Sequence, residues 1–349
     1  MRAIYYTEPG RENASLCDMP MPVCGDKDVI IKVMSCSICI GVDGDHDKKP
    51  IGSSCSGYPL VPGHEFAGYI YDIGKDVTQF KVGDRVAVDN TVPCDKCYYC
   101  RRGTPIHCRN MKNLGNKSNG AMAEYVACQE KKAYLLPDHV TFDEACLAEP
   151  VACCMHSMDQ MSIKYGDEVL VLGAGPMGII LAQLAKHSNA SRVVVIGSTQ
   201  SKLDIVNGLG IDTILMDRED YSVHEKAVLE CYPLGADCLF DATGAEEFVY
   251  SVPKLMKLGG RILGYGYYRG ESPQLRFPFN TFWDRELTYY SSLSQVGDFG
   301  RAVDAIATGK VNTKVLKTAG YNLDHYFEAL DRNISDHDVI KIIIHPYGE

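Results

Sequence analysis

The alternation of hydrophobic and polar positions changes rhythm along this chain. Up to about residue 151 the apolar residues come in short runs broken by Gly and Pro, as in DVIIKVM (28–34), FAGYIYDIG (66–74), DRVAVDN (84–90) and MAEYVAC (122–128). Runs of that length, with turn signals between them and few long helical periods, predict a mainly β domain. From residue 167 to about 263 apolar strands alternate with helical patterns: EVLVLG, GIILAQLAK, RVVVIG, KLDIVNGLG, TILMD, HEKAVLECY, DCLFDATG, FVYSVPKLM and GRILGYG. That alternation predicts βαβ units and a parallel sheet covered on both faces, an α/β doubly wound arrangement. After about Thr288 one helical stretch, DFGRAVDAIATG, precedes a strand-like VIKIIIHP. A chain of 349 residues exceeds what one core normally holds, and the expected division is 1–151, 152–288 and 289–349.

Composition narrows the class. With 46% hydrophobic and 23% charged residues the chain reads as an ordinary globular protein. A formal net charge of -10 and the lack of a long basic run argue against nucleic acid as a partner. The N-terminal MRAIYYTEPG has no apolar signal-like core, and VLVLGAGPMGIILAQLA (169–185) carries Gly-x-Gly and Pro where a bilayer helix would not. The expectation is a soluble, cytoplasmic protein without membrane partners. Fifteen cysteines in such a chain point to reduced thiols and metal chemistry. Several of them, including Cys17, Cys128, Cys231 and Cys238, sit alone among apolar residues and read as small buried hydrophobes.

The segment CDKCYYCRRGTPIHC concentrates Cys94, Cys97, Cys100 and Cys108. Two-residue gaps let successive thiolates turn toward one ion, and four sulfurs close a tetrahedral zinc shell. A closed shell has no place for substrate, so this site is expected to be structural. The alternative is a cysteine-rich loop without metal. A zinc-ribbon role on DNA is weakened by the acidic charge, although Arg101 and Arg102 lie beside the cysteines.

EVLVLGAGPMGIILAQLAK supplies a strand, GxGxxG and a helix in the order that a dinucleotide needs. Gly173 permits the tight turn, Gly175 lets the backbone approach a pyrophosphate, and Gly178 lets the helix pack closely. The diphosphate is expected on the helix N-terminus at Pro176, Met177 and Gly178. The next strand, RVVVIG, lacks the usual terminal acid that accepts the ribose hydroxyls of NAD. Gly197 stands there instead, followed by the neutral donors Ser198 and Thr199, with Lys202 beyond and Arg218 in the loop after the neighbouring strand. This set predicts a site for NADP(H) in preference to NAD(H), although Lys202 and Arg218 could be solvated surface charges and Asp217 adjoins Arg218. DATGAEE (241–247), with Thr243, and GYGYY (264–268), with Gly264 and Tyr265, fall at later strand ends, where ligands of open α/β sheets bind. Tyr267, Tyr268, Phe282 and Trp283 could line a pocket or pack in the core.

Cys39, His64, Glu65 and Glu149 are unremarkable singly, since a lone Cys or His is more often a satisfied core residue. Their settings are more specific: His64 and Glu65 follow a Pro-Gly turn in PLVPGHEFAGYI, and Glu149 precedes a proline in LAEPVACCMH. SIC ending at Cys39, GHEFAG, GDRV, the four-cysteine loop, LAEP and GAGPMG occur in an order that resembles the zinc-dependent medium-chain dehydrogenases, the alcohol dehydrogenase family, over nearly the whole chain. The resemblance implies a GroES-like catalytic domain with a Rossmann domain, the 289–349 tail returning to the former. It implies that Cys39 and His64 ligate a catalytic zinc, and that Glu65 ligates it or moves in and out of its shell. It places Glu149 at the remaining position, as in the sorbitol and related polyol branch, where the glutamate acts through a bound water. It puts the later strand ends against the cofactor, and GSTQ is similar to the turn of NADP-dependent bacterial secondary alcohol dehydrogenases.

One segment departs from the family pattern. CIGVDGDHD (39–47) has Gly41 or Val42 where a relay Ser or Thr belongs, and an extra residue before Asp43. A water on the metal, Glu149 or His46 is expected to take over the relay. The function implied is a zinc-dependent oxidoreductase passing hydride between NADP(H) and a secondary alcohol or ketone, a polyol or sugar derivative. The alternatives are a reductase of simple secondary ketones or aldehydes and, in another class, a non-catalytic NADPH-binding scaffold. A homodimer or homotetramer is implied by analogy.

Overall fold

The computed structural model describes residues 1–47, 57–245, 248–267 and 277–348. The chain divides into two units, 1–152 with 295–349 and 153–294. In the first unit β1 (Arg2–Tyr6) and β2 (Ala14–Asp18) form an antiparallel ribbon. β3 (Asp28–Ser37), β4 (Glu65–Ile73), β5 (Arg85–Val88), β6 (Tyr125–Gln129) and β7 (Ala133–Leu135) build an antiparallel sheet. Its inward faces, with Ile31, Val33, Phe66, Ile70 and Val86, make the unit's apolar core. The helices are short: α1 (Asp43–Asp47), α2 (Tyr98–Arg101) and α3 (Phe142–Ala145), the last opened by a Thr141–Glu144 capping box. The boundary between the units falls within α4 (Ala148–Met161).

The second unit alternates β8 (Glu168–Leu172), α5 (Pro176–Lys186), β9 (Arg192–Gly197), α6 (Gln200–Gly208), β10 (Asp212–Leu215), α7 (Tyr221–Cys231), β11 (Ala236–Asp241), α8 (Phe248–Ser251), β12 (Met256–Gly264), α9 (Phe279–Asp284) and β13 (Thr288–Ser291). All six strands are parallel in the order β10-β9-β8-β11-β12-β13, the doubly wound topology expected from the alternation. β8 buries Val169 to Leu172 on both faces, as a strand covered by helices must. The order reverses between β8 and β11, so the crevice for a ligand opens at their C-terminal ends. The tail expected from residue 289 starts later. Thr288–Ser291 pairs with Arg261–Gly264 as the sixth strand, which keeps the chain in the second unit through Ser294.

The chain then adds α10 (Phe299–Ala307), β14 (Lys317–Tyr321), α11 (Tyr326–Ser335) and β15 (Lys341–Ile344) to the first unit. β15 lies between β14 and β3, completing the order β14-β15-β3-β4-β5-β7, with β6 also on β3. Among the described residues no helix is long and apolar enough to cross a membrane.

Candidate active site and dinucleotide cradle

Strand register builds the first cluster. Gly63, at φ 91, turns the chain into β4, and a Cβ there would lie 2.7 Å from the amide nitrogen of Met122. Only glycine fits that close approach. Pairing of β3 with β4 then sets Glu65 opposite Ser37, two residues before Cys39. As a result the donor atoms of Cys39, His64 and Glu65 lie within 4.8 Å of one another. Glu149, buried in the first turn of α4, is not in that group but acts electrostatically on His64.

Burial alone would disfavour a charged His64, but the Cys39 thiol, Glu149 and Asp43 outweigh it and raise its pKa. The Asp43 carboxyl is raised chiefly by its burial. Asp43 Oδ2 accepts the Cys39 N–H at 2.8 Å, while Asp43 Oδ1 and His64 Nδ1 are both buried without a hydrogen-bond partner among the described residues. A metal-bound histidine ordinarily gives its second N–H to a carboxylate. An unpartnered ring nitrogen, an unpartnered carboxylate oxygen in its electrostatic range, and a mixed S/N/O donor set therefore fit an open zinc site.

His46 is placed differently. Its Nε2 lies 3.0 Å from the Gly115 carbonyl, which can only accept, so Nε2 carries a proton. Nδ1 then accepts the Tyr58 O–H at 2.7 Å. Burial pushes the pKa of this imidazole down, keeping it neutral.

Cys94, Cys97, Cys100 and Cys108 also have sulfurs within 4.8 Å of one another. The Lys96 N–H and the Asn110 amide stabilise the Cys94 thiolate and bring its pKa to about 6. N–H groups of Cys100 and Arg109 lower that of Cys97, whereas burial and the neighbouring thiols push Cys100 up to about 12. Amides aimed at crowded sulfurs suit a cluster whose mutual repulsion a cation relieves. No disulfide joins the described cysteines.

In the second unit Gly173, at φ 101, makes the turn after β8, and a Cβ on Gly178 would collide with the Gly173 carbonyl. A Cβ on Gly175 would instead enter open space beside the N-terminus of α5 at Pro176 and Met177. That opening, next to helix N–H groups without intrahelical acceptors, is the cradle that a diphosphate fits. Past β9, Arg218 Nη2 donates to Ser198 Oγ at 2.7 Å, which brings the guanidinium to the Gly197–Thr199 turn. Asp217 turns away from this contact, accepting the N–H groups of Glu219 and Asp220 at 2.8 and 3.0 Å. Thr199 is the N-cap of α6, and Lys202 lies in its first turn. Asp241 Oδ1 accepts the Thr243 hydroxyl at 2.6 Å, and its carbonyl accepts the Tyr265 N–H at 2.9 Å, so Thr243, Gly264 and Tyr265 gather at the ends of β11 and β12. Glu246, Glu247 and Tyr268 lie outside the described residues. Phe282 is buried, whereas Tyr267 and Trp283 are exposed.

Residues 25–138 match the alcohol dehydrogenase GroES-like domain family, and residues 176–308 match the zinc-binding dehydrogenase family. D-arabinitol dehydrogenase 1 of Uromyces fabae is 34% identical over 348 residues, covering 99% of this chain and 97% of that one. The chain belongs to the zinc-binding alcohol dehydrogenase family. Membership makes it a dehydrogenase that works with zinc and a nicotinamide dinucleotide. Two solved structures share its fold across 99% of both chains. A protein of Sinorhizobium meliloti 1021 described as a zinc-binding dehydrogenase, bound to NADP, has a TM-score of 0.89 at 26% identity. An alcohol dehydrogenase of E. coli CFT073, complexed with NADH, has a TM-score of 0.88 at 25% identity.

For a zinc-binding alcohol dehydrogenase, one residue of the first unit was missed by sequence reasoning. Lys341, on β15, places Nζ 2.6 and 2.7 Å from the two oxygens of Glu65, with both side chains buried. The carboxylate, with the Cys39 sulfur and Glu149, overcomes the burial and raises the pKa of this lysine. Removing one partner of such a pair leaves a buried charge, at about 3–5 kcal/mol. The signal was a lone lysine inside the apolar run VIKIIIHP. A charge in a strand with every residue buried requires an opposite charge nearby.

Proposed function

We propose that this chain is a zinc-dependent polyol dehydrogenase that passes hydride between NADP(H) and a secondary alcohol of a sugar alcohol or sugar derivative. The observation that carries the reading is the group of half-buried Cys39 with buried His64 and Glu65, with Glu149 acting on it, in a chain of this family. Zinc, when bound there, supplies a Lewis acid that makes a hydroxyl acidic and polarises a ketone, while the nicotinamide takes or gives the hydride. In this reading Cys39, His64 and Glu149 hold the ion, directly or through water, and Glu65 stands beside the shell as a carboxylate that can move in and out of it. Asp43 holds the Cys39 backbone through its N–H, and its charge acts on His64. Cys94, Cys97, Cys100 and Cys108 hold a second, structural zinc.

The polyol class is supported by Glu149 and by similarity to the arabinitol dehydrogenase. The proton leaving the substrate passes through Glu149 or water. Tyr58 gives His46 one way to join, through Nδ1, while its Nε2 proton is committed to Gly115. His46→Ala with an unchanged pH profile of turnover would remove it from the relay. The preference for NADP is supported by the absence of an acid at Gly197 and by Arg218 on the Ser198 hydroxyl, with Thr199 and Lys202 completing the phosphate site. We further assign a cytoplasmic location, in keeping with described cysteines that form no disulfide, and a homodimer or homotetramer. Sedimentation checks the latter.

The deciding experiment is a panel of polyols, sugar phosphates and short ketones, each with NADP and with NAD. Turnover of short ketones alone would favour the second reading, a simple ketone reductase, which the GSTQ turn suggests. Cys39→Ser should lower turnover by orders of magnitude while NADP still binds. Full activity in that variant, with its zinc content verified, would overturn the assignment.

A further inference from the structure

Among the described residues the first unit holds two buried lysine–carboxylate pairs, and they differ in what surrounds them. Asp89 takes Lys132 at 2.6 Å on one oxygen and Gln295 at 2.7 Å on the other, with Thr91 completing a polar knot away from any donor cluster. Glu65 has both oxygens on the single ammonium of Lys341, yet a Glu65 oxygen lies within 4.8 Å of the donor atoms of Cys39 and His64. The third N–H of Lys341 goes to the Ile38 carbonyl at 3.2 Å, one residue before Cys39. An ammonium has three donors, so all of them are spent. Because one donor is anchored beside Cys39, Lys341 cannot follow Glu65 toward a metal without releasing that backbone.

We propose that Lys341 is a positioning residue that holds the Glu65 carboxylate in reserve beside the metal site, leaving a coordination place for the substrate oxygen. The proposal rests on reading that site as a zinc centre. Charge argues the same way. Cys39, Glu65 and Glu149 bring three negative charges to a dication, and the ammonium cancels the surplus that would otherwise draw Glu65 into the shell. Among the described residues Lys341 is the lysine or arginine paired with Glu65, so without it the carboxylate turns to the metal.

The test reads coordination directly. Cobalt(II) is exchanged into the holoenzyme, and a Cys39→Ser blank subtracts the four-cysteine site. Tetrahedral cobalt absorbs far more strongly in the visible than cobalt of higher coordination number. Lys341→Met is expected to weaken the absorption per cobalt and to tighten metal retention against a chelator by about tenfold, the scale of outer-shell effects on metal sites. Lys341→Met combined with Glu65→Gln should restore the wild-type spectrum, as should Lys341→Arg. If Lys341→Met does not fold, Lys341→Gln, which keeps one donor for Glu65, is read by the same two measurements. Identical spectra and chelator midpoints in the wild type and the lysine variants would overturn the role of Lys341 alone. A wild-type chain that takes up only one cobalt would overturn the zinc-centre reading, and this inference with it.

Discussion

A side chain at Gly197 would do two things at once. Its Cβ would lie 2.8 Å from Ala174 Cβ and 2.9 Å from Leu203 Cδ2, so an aspartate there brings a wedge as well as a charge. Overpacking of that kind costs about 1–3 kcal/mol. Gly197→Asp is therefore expected to lower the melting temperature while shifting preference toward NAD. Cofactor choice is read more cleanly at Arg218. Arg218→Ala removes a charge-assisted contact worth about 1.5–3 kcal/mol and should raise the KM for NADP by about tenfold or more, leaving the KM for NAD unchanged. Initial rates with both cofactors check it. An equal rise for both would show that Arg218 only braces the turn.

At the scale of elements, Asp143 ties α3 to three other segments. It accepts Ser35 Oγ from β3 at 2.5 Å, Lys317 Nζ from β14 at 2.8 Å and His345 Nε2, just past β15, at 2.8 Å. Burial works against this carboxylate, but the three donors outweigh it and hold its pKa below the ordinary range. The folded pKa is lower than the unfolded one, so the stabilisation is complete above about pH 4 and fades as pH falls below it. Asp143→Asn should lose about 2 kcal/mol at neutral pH, and the gap from wild type should close in acid. Urea titrations at pH 7 and below 4 measure both. The four-cysteine loop is testable in the same way. Cys100→Ser should drop zinc from two ions per chain to one and lower thermal stability, with NADP binding intact.

Elements of this kind were legible wherever one period dominated. The βαβ rhythm after residue 167 predicted the parallel sheet, because strands buried on both faces are continuous apolar runs. The tight cysteine spacing and GAGPMG were legible because each site is written within one short segment. The Glu65–Lys341 pair was not, since its partners are 276 residues apart and only strand pairing joins them. Nor could spacing show that both nitrogens of His46 are engaged, because Gly115 and Tyr58 come from other segments.

For the whole chain, ligand binding should register as stability. NADP at a hundred times its Kd adds about 2.7 kcal/mol to the state that binds it, and NAD at the same concentration should add less. Differential scanning with each dinucleotide makes the comparison, and equal shifts would contradict an NADP preference.

Synthesis gives the placement of β15 a further meaning. Cys39 and His64 leave the ribosome close together with Glu65, whereas Lys341 follows Glu65 by 276 residues. At bacterial-to-eukaryotic elongation speeds that interval is roughly 15 to 55 s. Throughout it the nascent chain carries a thiol and an imidazole with a neighbouring carboxylate that no cation yet restrains. Whatever metal arrives then meets a different donor set from the finished one. A strand made long after Glu65 is thus the one that sets how these donors are used.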